Sequence, residues 1–129
     1  MPEKLIMIIE DDEDISNLFA LVADAAQCKV EKILTGTDAV KRLAGTPVPD
    51  MVVLDLHLPG MGGDKVLDKM RKTPGWENIP LIIVTAYPKT AKQVEVLASI
   101  KGLRLDGIYY KTEFNIDVLH QLIKKHLYL

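Results

Sequence analysis

The sequence predicts a doubly wound α/β fold: one domain built on a five-stranded parallel sheet with helices on both faces. Two observations carry this. Five short apolar runs recur along the chain, and three of them (Leu5–Ile9, Met51–Leu54 and Leu81–Val84) are apolar at every position, as strands buried on both faces are. Between the runs, apolar residues return at helical spacing, so strand and helix alternate five times.

Leu5–Ile9 is the first strand. Ile15, Leu18, Phe19, Val22 and Ala26 then follow i, i+3, i+4, i+7 spacing and mark the first helix. Val30–Leu34 is the second strand, and Thr37 can cap a short helix running through Leu43. Met51–Leu54 is the third strand. Val66, Leu67 and Met70 mark a third helix that ends near Thr73-Pro74-Gly75. Leu81–Val84 is the fourth strand, and Val94, Leu97, Ala98 and Lys101 place a fourth helix before Gly102. Gly107–Tyr110 is the fifth strand. Asn115 caps the last helix, which packs with Ile116, Leu119, Leu122, Ile123 and Leu127. Right-handed crossovers wind this order into a (βα)5 sheet of the flavodoxin-like kind, with strand order 2-1-3-4-5. Ligands of such sheets bind outside the carboxyl ends of the strands.

The totals agree with this. The 129 residues suit one domain over 1–129, and 48% hydrophobic residues suffice for one sizeable core. A net charge of −2 argues against a grip on nucleic acid through phosphate contacts. With Cys28 alone no internal disulfide can form, and a reducing, cytoplasmic setting is expected. No apolar run approaches the roughly 20 residues of a membrane helix. The opening Met-Pro-Glu-Lys lacks the apolar core of a signal peptide.

The strand ends carry the chemistry. The first strand runs into Glu10-Asp11-Asp12-Glu13-Asp14, the third ends on Asp55, the fourth on Thr85-Ala86 and the fifth on Lys111-Thr112. Asp12, Glu13 and Asp14 fit a plain role at the positive end of the first helix. Glu10 and Asp11 fit that role poorly, because they come at the end of a buried strand, and Asp55 also follows directly on a buried apolar run. Carboxylates converging in one crevice repel one another unless a cation sits among them, and a hard divalent ion such as Mg²⁺ is the natural partner for oxygen donors. Lys111 alone reads as half of an ion pair, and Thr85 alone as a turn former. Together with the acid cluster they make a site for a phosphoryl group.

At these residues the chain resembles the receiver domain of two-component response regulators, particularly the single-domain, chemotaxis-regulator kind. The matching pieces are Ile-Ile-Glu10-Asp11-Asp12, Val-Leu-Asp55-Leu-His-Leu-Pro59-Gly-Met-Gly-Gly63, Ile79-Pro80-Leu-Ile-Ile-Val-Thr85-Ala86 and Tyr-Tyr-Lys111, in order and each at its own strand end. The resemblance implies that Asp55 is the phosphoacceptor. It implies that Asp11 binds Mg²⁺ directly, that Glu10 acts through a bound water, and that the backbone carbonyl of His57 is a further ligand. Thr85 and Lys111 would contact the phosphoryl oxygens, and Ala86 would leave them room. The implied donor is a phosphohistidine on a sensor histidine kinase or phosphotransfer protein. The implied output is a downstream protein target met through the face of the fourth helix, fifth strand and fifth helix. A signalling switch, monomeric or weakly dimeric, is expected rather than an enzyme that turns over a metabolite.

Three departures from that family's pattern fall on the output face. Thr112 stands where receivers place a cis-proline, and a non-proline cis bond costs about 3–4 kcal/mol, so a trans bond is expected. Ile108 occupies the usual place of an aromatic switch residue, with Tyr110 on the same strand face as the other candidate. The stretch from Thr85 to Lys111 is longer than usual by roughly one helical turn. Ordinary phosphoryl chemistry read through an altered surface is therefore expected. His57, two residues after the acceptor, could shade the hydrolytic water or be a plain loop residue, whereas His120 and His126 read as ordinary residues of the last helix. Trp76, the tyrosine pair and the Met residues read as packing.

Two alternatives fit the residues less well. A phosphohydrolase of the haloacid dehalogenase kind would carry its nucleophile on the first strand and usually a cap domain, whereas this chain places its best acceptor on the third. A receiver that has lost its switch would lack part of the set that Glu10, Asp11, Asp55, Thr85 and Lys111 complete. A free-standing regulator and a segment of a hybrid kinase or longer regulator both fit the sequence.

Overall fold

A computed structural model describes residues 3–86 and 100–128. Five parallel strands form one sheet in the order β2-β1-β3-β4-β5, as the sequence predicts. They are β1 (Leu5–Ile9), β2 (Lys29–Ile33), β3 (Met51–Asp55), β4 (Leu81–Thr85) and β5 (Leu105–Tyr110). Four helices lie within the described residues: α1 (Glu13–Ala25), α2 (Gly36–Leu43), α3 (Gly63–Arg71) and the C-terminal helix (Ile116–Leu127). The fourth helix expected around Val94, Leu97 and Ala98 lies outside the described residues.

Side chains alternate across a strand, so each central strand feeds two separate cores. Met7 and Ile9, Val52 and Leu54, and Leu81 and Ile83 pack with α2 and α3 through Ala39, Leu43, Val66, Leu67 and Met70. Ile6 and Ile8, Met51 and Val53, and Ile82 and Val84 pack on the other face with α1 and the C-terminal helix through Phe19, Ala23, Leu119, Leu122 and Ile123. Burial of each such aliphatic side chain contributes about 1.5–3 kcal/mol, which is why wholly apolar runs become central strands. Trp76 is buried in the first of these cores, a packing role as expected.

The caps set the helix starts. Asp12 accepts from the Ile15 amide at 3.1 Å, with Glu13 and Asp14 in the first turn of α1. Asn115 accepts from Val118 at 3.0 Å and caps the C-terminal helix. Three expectations are corrected. The cap of α2 is Thr35, whose hydroxyl accepts from the Asp38 amide at 3.1 Å, not Thr37, which lies inside the helix. Leu18 is 47% exposed, and Ser16 is buried instead. The fifth strand starts at Leu105 rather than Gly107, because Leu81 pairs with Leu105 while Ile82 pairs with Gly107. Asp106 is thus an extra residue in a bulge, and it hides the strand's alternation.

Candidate functional site

β1 and β3 are neighbours, so the chain just beyond Ile9 and the end of β3 meet at one edge of the sheet. Glu10, Asp11 and Asp55 each bring a carboxylate oxygen within 4.8 Å of the other two. Glu10 and Asp55 are 2% and 1% exposed, an extreme degree of burial for carboxylates. From β5, Lys111 reaches across and places Nζ 3.0 Å from Asp55 Oδ2 and 3.3 Å from Glu10 Oε1. Thr85, 1% exposed at the end of β4, accepts the Lys111 amide on its carbonyl at 2.8 Å. The sequence-predicted site residues therefore converge on one crevice at the carboxyl end of the sheet.

The backbone orients Asp55. The His57 amide donates to Asp55 Oδ1 at 2.9 Å. Oδ2 is buried, faces the Lys111 charge and receives no hydrogen bond of good geometry among the described residues. Gly63 at the start of α3 lets the loop after β3 close on itself. A Cβ there would lie 2.7 Å from Leu56 Cα and 2.9 Å from the Asp55 carbonyl oxygen. A Cβ on Gly36 would run into the Met61 carbonyl from the α2 side. The loop bearing His57 is thus held between two close backbone approaches, with Leu56 and Leu58 buried beneath it.

The charges are unequal. Burial pushes the Glu10 carboxyl up from 4.5 to about 7, helped by its hydrogen bond and charge interaction with Asp55 and opposed by Lys111 and the Asp12 amide. Burial pulls the Lys111 ammonium down, but its contacts with Asp55 and then Glu10 outweigh that and hold it above the ordinary lysine value. Three clustered oxygen donors, one buried carboxylate oxygen without a hydrogen bond and one carboxyl that resists ionisation are the marks of a pocket short of positive charge. The set fits a hard divalent cation.

The one cis peptide among the described residues precedes Pro47, so the bond before Thr112 is trans, as expected. After Lys111 the chain turns, with the Glu113 and Phe114 amides donating to the Tyr110 carbonyl at 2.9 and 3.0 Å. Ile108 packs into the α2–α3 core and Tyr109 into the opposite one, so by alternation Tyr110 shares the Ile108 face. His57 and His120 are exposed. His126 lies in the last turn of the C-terminal helix, its side chain 4% exposed, with Nδ1 3.8 Å from Asp106 Oδ2. Sequence reasoning also passed over Phe114. It precedes the cap Asn115 and shares a core with Leu119, the fourth residue of that helix. An apolar residue placed just before a cap was the available signal.

The profile of the response regulator receiver domain family matches residues 6–123. The chain is 29% identical to sporulation initiation phosphotransferase F of Bacillus subtilis over 98% of this chain and 96% of that protein. It is 34% identical to the phosphate regulon transcriptional regulatory protein PhoB of Rhizobium meliloti over 73% of this chain, and spans about two fifths (41%) of that relative's length. The chemotaxis response regulator CheY4 of Vibrio cholerae superposes with a TM-score of 0.81 at 20% identity, covering 98% of this chain and all (100%) of that one. A CheY-like receiver domain protein from Methanospirillum hungatei JF-1 superposes with a TM-score of 0.80 at 24% identity, over 96% and 93%.

Proposed function

This chain belongs to the response regulator receiver family of two-component signalling, and from that premise we propose that Asp55 accepts a phosphoryl group from a phosphohistidine. The donor is a sensor histidine kinase or a phosphotransfer protein. The observation that carries the reading is the placing of Asp55 Oδ2, buried, 3.0 Å from Lys111 and beside the carboxylates of Glu10 and Asp11.

Asp55 Oδ2 attacks phosphorus in line. The P–N bond to the donor imidazole breaks, and its electron pair leaves on nitrogen. The His57 amide fixes the carboxylate through Oδ1 and leaves the other oxygen to react. Lys111 offsets charge on the transferring oxygens, and Thr85, at the adjoining strand end, donates from its hydroxyl. Glu10, Asp11, Asp55 and the His57 carbonyl are the groups that would hold Mg²⁺. When bound, that ion supplies the positive charge the carboxylates and phosphoryl oxygens lack. The product is an acyl phosphate, which hydrolyses in time. The chain acts on its own aspartate and turns over no metabolite.

We place the readout on the face made by the expected fourth helix, β5 and the C-terminal helix, with a protein as target. Shifting that surface from 1:99 to 99:1 requires phosphorylation to favour the active state by about 5.5 kcal/mol. The chain works in the cytoplasm as a monomer or weak dimer. Among the described residues no helix is long and apolar enough to cross a membrane.

Intact mass after incubation with Mg²⁺ and acetyl phosphate tests the proposal. One added phosphoryl group on the wild type, absent from Asp55→Asn, is the expected result. No gain on the wild type, or an equal gain on the variant, would overturn it.

A further inference from the structure

Lys111 is less enclosed than the groups it serves. Its side chain is 28% exposed, against 1% for Asp55 and 3% for Glu10. A long, half-open side chain is placed by its backbone, and the backbone after Lys111 is a turn of exposed residues, Thr112 and Glu113. Neither residue restricts its own dihedral angles as a proline would. The one buried residue from Lys111 to Asp117 is Phe114, 6% exposed.

Phe114 is wedged between two rings. Its centroid lies 5.2 Å from that of Phe19 on α1, edge-on at 79°, and 5.3 Å from that of Tyr109 on β5, tilted at 59°. Both separations suit favourable aromatic pairs. Tyr109 reaches this position because its ring folds back along the strand over Gly107, where a Cβ would lie 2.6 Å from Tyr109 Cε2. Phe114 also shares the wall of one cavity, of about 380 Å³, with Lys111, Glu10 and Val84. The brace and the ammonium therefore face one cavity.

We infer that Phe114 is a positioning residue for phosphoryl transfer: held by Phe19 and Tyr109, it fixes the turn behind Lys111 and so the place of the ammonium beside Asp55. This rests on Asp55 being the acceptor. The ring acts through Lys111 alone, because the carboxylates come from the ends of β1 and β3 and their backbone does not depend on the turn.

The test combines a mutant cycle with a metal titration. Wild type, Phe114→Leu, Lys111→Ala and the double variant are followed by intact mass in acetyl phosphate and Mg²⁺, and Mg²⁺ affinity is measured alone. Phe114→Leu is expected to slow phosphoryl gain about tenfold, within what ångström misplacement of a catalytic group costs, and to shift Mg²⁺ affinity no further than Lys111→Ala does. The double variant is expected to be no slower than Lys111→Ala, because residues acting through one another are not additive. Tyr109→Leu, which loosens the ring from its other side, is expected to repeat the pattern and decides the matter if Phe114→Leu does not fold. A full rate in a folded variant, a further loss on top of Lys111→Ala, or a change in Mg²⁺ affinity larger than that of Lys111→Ala would overturn the inference alone. No phosphoryl gain on wild type would overturn the acceptor reading and this inference with it.

Discussion

Lys111 Nζ lies 3.3 Å from Glu10 Oε1, an ion pair that spans 101 residues and ties the end of β1 to the end of β5. The same ammonium contacts both Glu10 and Asp55. Replacing Lys111 by Met leaves two buried carboxyls with no protein cation beside them. Phosphoryl gain from acetyl phosphate is expected to slow about a hundredfold, the scale of losing one preorganised charge-stabilising group. A time course by intact mass checks this, and an unchanged rate would remove Lys111 from the mechanism.

The raised Glu10 pKa gives stability a direction with pH. Between its ordinary value of 4.5 and its folded value of about 7, the folded chain keeps a proton that the unfolded chain releases. Stability from this group is full below 4.5 and is lost as pH rises through 7. In urea without metal, the wild type should lose stability between about pH 5 and about pH 8 relative to Glu10→Gln, which removes the titration. If both chains show the same pH slope, the carboxyl is not perturbed.

Mg²⁺ affinity should follow the same proton in the opposite sense. The ion requires an ionised Glu10, so binding is expected to strengthen as pH rises through 7 and to release protons below it. Calorimetry in two buffers of different ionisation enthalpy reads the released protons directly. Glu10→Gln should bind more weakly and release fewer.

The glycines around the His57 loop are expected to matter twice. Gly63→Ala sets a methyl 2.7 Å from Leu56 Cα and 2.9 Å from the Asp55 carbonyl oxygen, backbone atoms that yield only if the loop moves. A stability loss of about 1–3 kcal/mol, the usual cost of overpacking, should accompany weaker Mg²⁺ binding. Gly45→Ala, where the nearest atom outside its neighbours is 3.4 Å away, is the control and should change neither. Denaturation and metal titration of the pair separate the effects.

The faces of β5 make an NMR prediction. Ile108 and Tyr110 lie on the Thr85 side, where Thr85 and Tyr110 are register partners, while Tyr109 packs in the other core. Phosphorylation read through an altered surface should move the side-chain signals of Ile108 and Tyr110 more than that of Tyr109. Shifts of the fourth-helix and β5 amides like those of a typical receiver would instead show an ordinary output surface.

Most of the sheet was legible because central strands must be apolar on both faces, and little else in a chain of this kind requires five apolar residues in a row. The site was legible for a related reason: a carboxylate directly after such a run has nowhere to go but the crevice. What escaped depends on shape rather than polarity. Thr35 and Thr37 are equal as cap chemistry, and only the folded backbone, in which Thr35 accepts from the Asp38 amide, chooses between them. The bulge at Asp106 broke the alternation that would have revealed Leu105. Leu18 matched the helical period yet sits at the margin of the buried stripe. Phe114 looked like a loop residue because ring contacts leave no mark on spacing.

The strand order also sets a sequence of events. The three carboxylates come from neighbouring strands near the start of the chain, while their counter-charge sits at the end of β5, two strands further across the sheet. Of these strands β5 leaves the ribosome last. Until it docks, β1 and β3 can bring like charges together with no protein cation to balance them, which opposes early closure of that end of the sheet. Arrival of Lys111 completes the sheet and brings the crevice its protein cation in the same step.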